Sequence, residues 1–267
     1  MKITKLILIV CISAGMLSCS EDDNSVEVTP EEIENFFPLA VGNFWDYTNV
    51  VSIPDQDDVV ASERLSVTST TTEGTTTFYD LETDNPQNAG PITAAFSQGD
   101  LSQTDEMLII SGTLGFAVEG LPTINIDVEN APLYDVNASP DSVLFTDSGT
   151  IQQEIQGAPL EINYDVETLM GQTLSTFSVN GVSYNDVIQT KIVITLEVVV
   201  DVFISIPILP TQEAVVIDNY FAKDIGLILS ETNTNLDFAE IDQIPLPLED
   251  LSFISTQSLE NYSVDLE

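Results

Sequence analysis

Thr190 to Ile206 reads TKIVITLEVVVDVFISI. Ile192, Ile194, Leu196, Val198, Val200, Val202, Ile204 and Ile206 share one parity. Lys191, Thr195, Glu197, Asp201 and Ser205 share the other. A period of two with β-branched residues throughout is the mark of a strand with one buried face. At about 3.3 Å per residue the stretch could span about 50 Å, so a bend or break near Val199 is expected. Pro207 and Pro210 are expected to end it, with Thr211 to Phe221 returning beside it.

Shorter stretches repeat the pattern on both sides. Trp45, Tyr47, Asn49 and Val51 alternate with Asp46, Thr48, Val50 and Ser52. Glu63 to Ser69 places Leu65 and Val67 inward, and Thr75 to Leu81 is rich in threonine and aromatics. Met107 to Ser111 and Leu114 to Glu119 are two apolar runs broken by Gly112. Thr150 to Ile155 and Leu160 to Val166 flank a Gly157-Ala158-Pro159 break. Asn180-Gly181, between Thr173–Val179 and Val182 onward, supplies the two positive φ angles of a type I′ hairpin. Ile225 to Thr232 and Leu251 to Leu266 complete the set. Helical periodicity is nearly absent and no repeat appears. The expected fold is all-β: a curved, partly open antiparallel sheet, clam- or half-barrel-like, over residues 36–267. A transmembrane barrel is the competing use of long alternating strands, but aromatic girdles are missing.

The N-terminus is of another kind. Lys2 and Lys5 precede an almost wholly apolar Leu6 to Met16. That is a signal peptide, too short to cross about 30 Å of hydrocarbon. It ends in Met16-Leu17-Ser18-Cys19, which resembles the bacterial lipobox, with Met16 where leucine is usual. The resemblance implies cleavage after Ser18 and acylation of Cys19. The bland alternative is a secretory peptide with a chance cysteine. Chemistry favours the anchor. An acidic neighbourhood raises a thiol pKa, so Cys19 would be a poor nucleophile. Cys11 lies in the removed segment, so no internal disulfide can form. Residues 1–18 are thus the leader, and residues 19–35 a lipidated acidic tether. Thr29-Pro30-Glu31-Glu32 carries a capping box for a short N-terminal helix. Ser20 lacks the aspartate that holds enteric lipoproteins at the inner membrane. Glu21-Asp22-Asp23 resembles the acidic export tag of Bacteroidota surface lipoproteins. The expected location is the outer membrane by lipid anchor, facing the cell surface, with the periplasmic face as the alternative.

Composition then removes whole chemistries. Without the leader, Arg64, Lys191 and Lys223 face 44 acids, a net charge of −41. Phosphate backbones need clustered cations, so nucleic acid is excluded as a partner. Without histidine there is no Ser-His-Asp triad, and zinc loses its commonest ligand. No cofactor is implied. What remains is carboxylate chemistry, such as glycoside hydrolysis, or an oxygen-ligated cation. With 44 acids, two neighbouring carboxylates arise by chance.

Two segments resemble patterns of Bacteroidota envelope lipoproteins. Phe37-Pro38-Leu39-Ala40-Val41-Gly42-Asn43-Phe44-Trp45-Asp46-Tyr47 is similar to F-P-L-x-x-G-N-x-W-x-Y near their start. Tyr220-Phe221-Ala222-Lys223-Asp224-Ile225-Gly226-Leu227 is similar to Y-x-A-K-G-I/V-G-L near their end, with Asp224 in place of glycine. The resemblance implies an open curved sheet and no particular activity. Read as structure, Gly42-Asn43 makes a turn, Trp45 and Tyr47 pack one face, and Lys223 pairs with a carboxylate. Read as function, Trp45 and its neighbours line a cleft for an apolar or sugar ligand. Asp55-Gln56-Asp57-Asp58 reads as a solvated turn, without the glycine and distal glutamate of an EF-hand. Asp141-Ser142-Val143 matches a short O-glycosylation pattern. The leading expectation is a non-catalytic binding or scaffold protein whose concave face takes a glycan, lipid or envelope protein. A carboxylate-based glycan-active enzyme is the alternative.

Overall fold

The computed structural model describes residues 35–116, 123–155, 158–201, 205–239 and 248–266. The leader, Cys19, the acidic tether and the expected N-terminal helix lie outside the described residues. Twelve strands form one antiparallel sheet. They are β1 (Phe44–Ser52), β2 (Val59–Glu73), β3 (Thr76–Thr83), β4 (Asp100–Gln103), β5 (Met107–Phe116) and β6 (Ile124–Asp135). Then come β7 (Val143–Ile155), β8 (Ala158–Val179), β9 (Val182–Asp201), β10 (Ser205–Ala222), β11 (Gly226–Leu236) and β12 (Leu251–Ser263). Their order across the sheet is β6-β5-β4-β3-β2-β1-β12-β11-β10-β9-β8-β7. The first and last strands of the chain, β1 and β12, therefore meet in its middle.

The sheet curls until its two edges approach. Gln153 Nε2 on β7 donates to Thr123 O beside β6, and Thr168 Oγ1 on β8 donates to Pro132 O on β6. No strand ladder joins β6 to β7, so the barrel is nearly closed rather than sealed. Its interior is mostly apolar with one buried polar stretch, and Lys191, Glu167, Glu197 and Asp218 stand on the outside, half-buried or exposed. A membrane barrel is built the other way round, with lipid-facing apolar residues outside.

The long apolar stretch behaves as read up to Val200. Ile192, Ile194, Leu196, Val198 and Val200 are all buried. The break expected near Val199 falls two residues on, at Asp201, and it is a full reversal, since Ser205 already pairs back with Asp201. Residues 202–204 lie outside the described residues. Pro207 and Pro210 do not end a strand. They sit inside β10, where the ladder with β9 shifts register three times between Pro207 and Val215. A residue without an N–H is tolerated at such irregularities. The Asn180-Gly181 hairpin is confirmed by φ angles of 50° and 80°.

Gly112 does not break a strand either, since β5 runs through it. A Cβ there would lie 2.8 Å from Gly99 Cα. The glycine admits helix α1 (Pro91–Gln98), which the sequence reading missed. Pro91 opens that helix, and Ile92, Ala95 and Phe96 bury its i, i+3, i+4 stripe inside the sheet.

Candidate functional site

The two motif segments meet in the core. Trp45 is fully buried, and its indole N–H donates to Ile225 O at 2.6 Å. The Tyr47 hydroxyl donates to Leu227 O at 3.0 Å. Phe37 stacks on Trp45 at 4.7 Å and also touches Phe96 and Phe221, at 5.4 and 6.0 Å. Asn43 Nδ2 donates to Pro38 O and Asp265 O, and its Oδ1 accepts from Asp265 N. Gly226 has φ 117°, and a Cβ on it would lie 2.8 Å from Trp45 Nε1. Asp224 has φ 60°, so the left-handed turn survives without glycine. These residues form a clasp between the two ends of the chain. Trp45 does not floor a cleft. Burial raises the pKa of the Tyr47 and Tyr134 hydroxyls, which keeps both neutral in this dry cluster.

Among the described residues, the part of the concave face that α1 covers is filled by the protein's own side chains. Between α1 and the inner residues Ile110, Leu114, Val128, Val166 and Ile192 only about 10 Å³ is left. The opposite wall is polar. Thr190, Asn219, Ser230, Gln257 and Asn49 form one row across β9, β10, β11, β12 and β1, each paired with the next and each buried. Glu63 on β2 stands beside this row with 3% exposure. Its Oε1 accepts from Asn49 Nδ2 at 2.8 Å, Gly90 N at 2.9 Å, Thr93 Oγ1 at 2.8 Å and Gln257 Nε2 at 2.5 Å. Its Oε2 accepts from Thr83 Oγ1 at 2.8 Å. The carboxylate thus holds the start of α1, whose own cap position is a glycine without a side-chain bond. Negative charge at a helix N-terminus is favourable. Glu63 shares the parity of Leu65 and Val67, so its inward direction was legible, although its partners were not.

An open cleft of about 440 Å³ lies at the end of the sheet where the described chain begins. The start of β9 gives it Tyr184 and Asp186, the β10–β11 turn Lys223 and Asp224, and the end of β12 Glu260 and Tyr262. Asn180, at the tip of the β8–β9 hairpin, donates to Ser258 Oγ and Glu260 Oε1, both at 3.1 Å, and ties this hairpin to β12. Lys223 N donates to Asp186 O at 3.0 Å. Tyr184 is 8% exposed, while Tyr262 is 39% exposed. The Tyr184 hydroxyl pKa is raised, first by burial, then by Tyr262 and Glu260. Asp224 N also donates to Asn35 O at 2.7 Å, so the cleft adjoins the root of the N-terminal segment. Of these residues, sequence reading singled out Lys223 and Asp224 alone.

The other singled-out groups lie elsewhere. Asp55 to Asp58 form an exposed turn at the far end of β1, where Ser52 Oγ donates to Asp58 Oδ1 at 2.8 Å. Ser142 sits in the β6–β7 connection and donates to Ser139 O at 2.6 Å.

No family model matches the chain, and no curated protein matches it. Two solved structures are similar in course. One is a "putative lipoprotein" from Parabacteroides distasonis, at 11% identity and TM-score 0.41, over 87% of this chain and 100% of that one. The other is a LolA superfamily protein from Nitrosomonas europaea, at 9% identity and TM-score 0.19, over 86% and 88%.

Proposed function

We propose that the protein is a lipid-anchored envelope protein that binds a ligand, without catalysis, in the cleft between Tyr184 and Tyr262. The observation that carries this reading is the contrast, among the described residues, between the filled space under α1 and an open, tyrosine-bearing cleft. Acylation at Cys19 would hold the chain at the outer membrane, and Ser20 with the acids after it favours the surface. Sixteen residues lead from Cys19 to Asn35. Fully extended they reach about 55 Å at about 3.5 Å each. A ligand in or near the membrane is within that radius.

The same cleft gathers Asp186, Asp224 and Glu260, which the glycosidase reading requires in kind. Asp186 and Glu260 are exposed and Asp224 is only half-buried. None of them is enclosed as an acid and base working across a bound sugar would be. Solvent-exposed carboxylates suit binding better.

Two experiments test this. Cys19→Ala should release the protein from membranes and abolish acyl labelling; a variant still on the membrane would refute the anchor. Full-length protein in neutral detergent should retain material from an envelope fraction of glycans, lipids and proteins. Tyr262→Ala should weaken that retention at least fivefold without changing the fold by circular dichroism. Retention that ignores Tyr262 would remove the cleft from the reading.

A further inference from the structure

We propose that Asn180 is a deamidation site, and that its conversion to aspartate or isoaspartate turns the tie between the β8–β9 hairpin and β12 into a repulsion. This modification is independent of the ligand reading above. Asn180-Gly181 is the only Asn-Gly step in the chain. It forms the two central residues of the type I′ turn, both exposed. Val179 pairs with Val182 across the turn, which leaves the Gly181 N–H without a hydrogen-bond partner among the described residues. A Cβ on Gly181 would meet nothing within 4 Å, so no neighbouring group screens that nitrogen. The nucleophile and the carboxamide carbon it attacks are therefore adjacent in the chain and open to solvent.

The step needs no co-reactant but water. Once deprotonated, the Gly181 nitrogen attacks Cγ of Asn180. The new N–C bond closes a cyclic imide, and the Cγ–Nδ2 bond breaks to release ammonia. Water then opens the ring at one carbonyl or the other and leaves aspartate or isoaspartate. Hydroxide removes the amide proton that starts the step, so the rate rises with pH.

The consequence falls on β12. Asn180 Nδ2 donates to Ser258 Oγ and to Glu260 Oε1, both at 3.1 Å. A carboxamide nitrogen donates, whereas an ionised carboxylate only accepts. After deamidation the bond to Glu260 is replaced by two carboxylates facing each other. Like charges set opposite one another on a sheet destabilise the pairing. Isoaspartate adds a backbone carbon as well, in a two-residue loop whose geometry fixes the register of the strands.

Full-length protein in neutral detergent would be held at 37 °C at pH 6 and at pH 8, then mapped by peptide mass spectrometry, with isoaspartate read by enzymatic methyl labelling. Asn130 is the internal control, since it too is exposed with a positive φ, of 52°, but alanine follows it. Aspartate and isoaspartate should accumulate at Asn180 at least tenfold faster than at Asn130, and faster at pH 8 than at pH 6. Equal rates at the two residues, or a rate that ignores pH, would overturn the site. Two variants whose residues suit a type I′ turn test the repulsion. Asn180→Gly removes the tie without adding charge, and Asn180→Asp removes it and adds the charge. Hydrogen exchange of the Val179 and Val182 amides reports local opening of the hairpin. It should be at least threefold faster in Asn180→Asp than in Asn180→Gly. Exchange in Asn180→Asp no faster than in Asn180→Gly would overturn the repulsion.

Discussion

On one side of the interior, β9 presents Ile192, Ile194, Leu196, Val198 and Val200. On the other, β1, β2 and β12 present Asn49, Glu63 and Gln257, equally buried. The aliphatic wall is held by non-directional burial, so its energy is spread over many contacts and can be repacked. The polar wall is held by directed bonds into one carboxylate, where each atom lost leaves another stranded. Two walls of one sheet should therefore fail differently.

The largest expected effect is Glu63→Ala. It removes an acceptor from Asn49, Thr83, Thr93, Gln257 and the Gly90 N–H together, although Asn49, Thr93 and Gln257 keep bonds to Asn88 O, Gly90 O and Thr93 Oγ1. A loss of roughly 3–5 kcal/mol is expected, read as a fall in the urea midpoint. Glu63→Gln should recover little of it, because an amide turns one acceptor into a donor facing donors. Full rescue by glutamine would mean that the charge is irrelevant there.

Leu196→Ala should cost about 3 kcal/mol, from lost burial and the cavity left behind. Ile194→Val should cost only about 1 kcal/mol. A gentle gradient on β9 and a cliff at Glu63 would uphold the contrast between the walls. Equal steepness on both would break it.

Smaller still is Thr232→Val. Thr232 Oγ1 is buried without a partner, as are Asn49 Oδ1, Gln257 Oε1, Asn219 Nδ2 and Thr190 Oγ1 nearby. Removing an orphan hydroxyl for a methyl should change stability by less than about 1 kcal/mol, or raise it. A clear loss would place an ordered water on that wall.

The smallest effect is expected outside both walls. Arg64 Nε and Nη2 bond Asp46 at 2.6 and 2.9 Å, and Arg64 lies 4.1 Å over the Phe44 ring. The guanidinium holds the Asp46 carboxyl below its ordinary range, ahead of a second bond from Asn261. Its contribution is present above the unfolded carboxylate pKa of about 3.9 and is lost as pH falls through the lower folded value. The pair is exposed, so the destabilisation by Arg64→Ala should be small at pH 7 and smaller at pH 3. A penalty that grew in acid would show that the pair is not its cause.

The aliphatic wall was legible because period two states which residues face inward, and eight β-branched or leucine positions leave no other reading. The length of the stretch announced a break near Val199, but not that the chain reverses there, because Val202, Ile204 and Ile206 keep the same parity across it. Parity also turned Glu63 inward beside Leu65 and Val67, a conflict between face and charge that marks a site with partners. Those partners come from β1, β3, α1 and β12, and no local pattern names them. Helix α1 left a signal in Gly90-Pro91 and in the spacing of Ile92, Ala95 and Phe96, too short to stand out among strands.

The sequence alone determined the β class, the Asn180-Gly181 hairpin and the lack of any histidine chemistry, because these follow from composition and from neighbours in the chain. Tertiary structure decided that β1 and β12 pair in mid-sheet, that the Trp45 indole bonds Ile225, and that α1 fills the concave face it covers. It alone assembled the cleft. Tyr184, Asp224 and Glu260 are separated by 36 to 76 residues, and only the side-by-side pairing of β9, β10, β11 and β12 brings them to one rim.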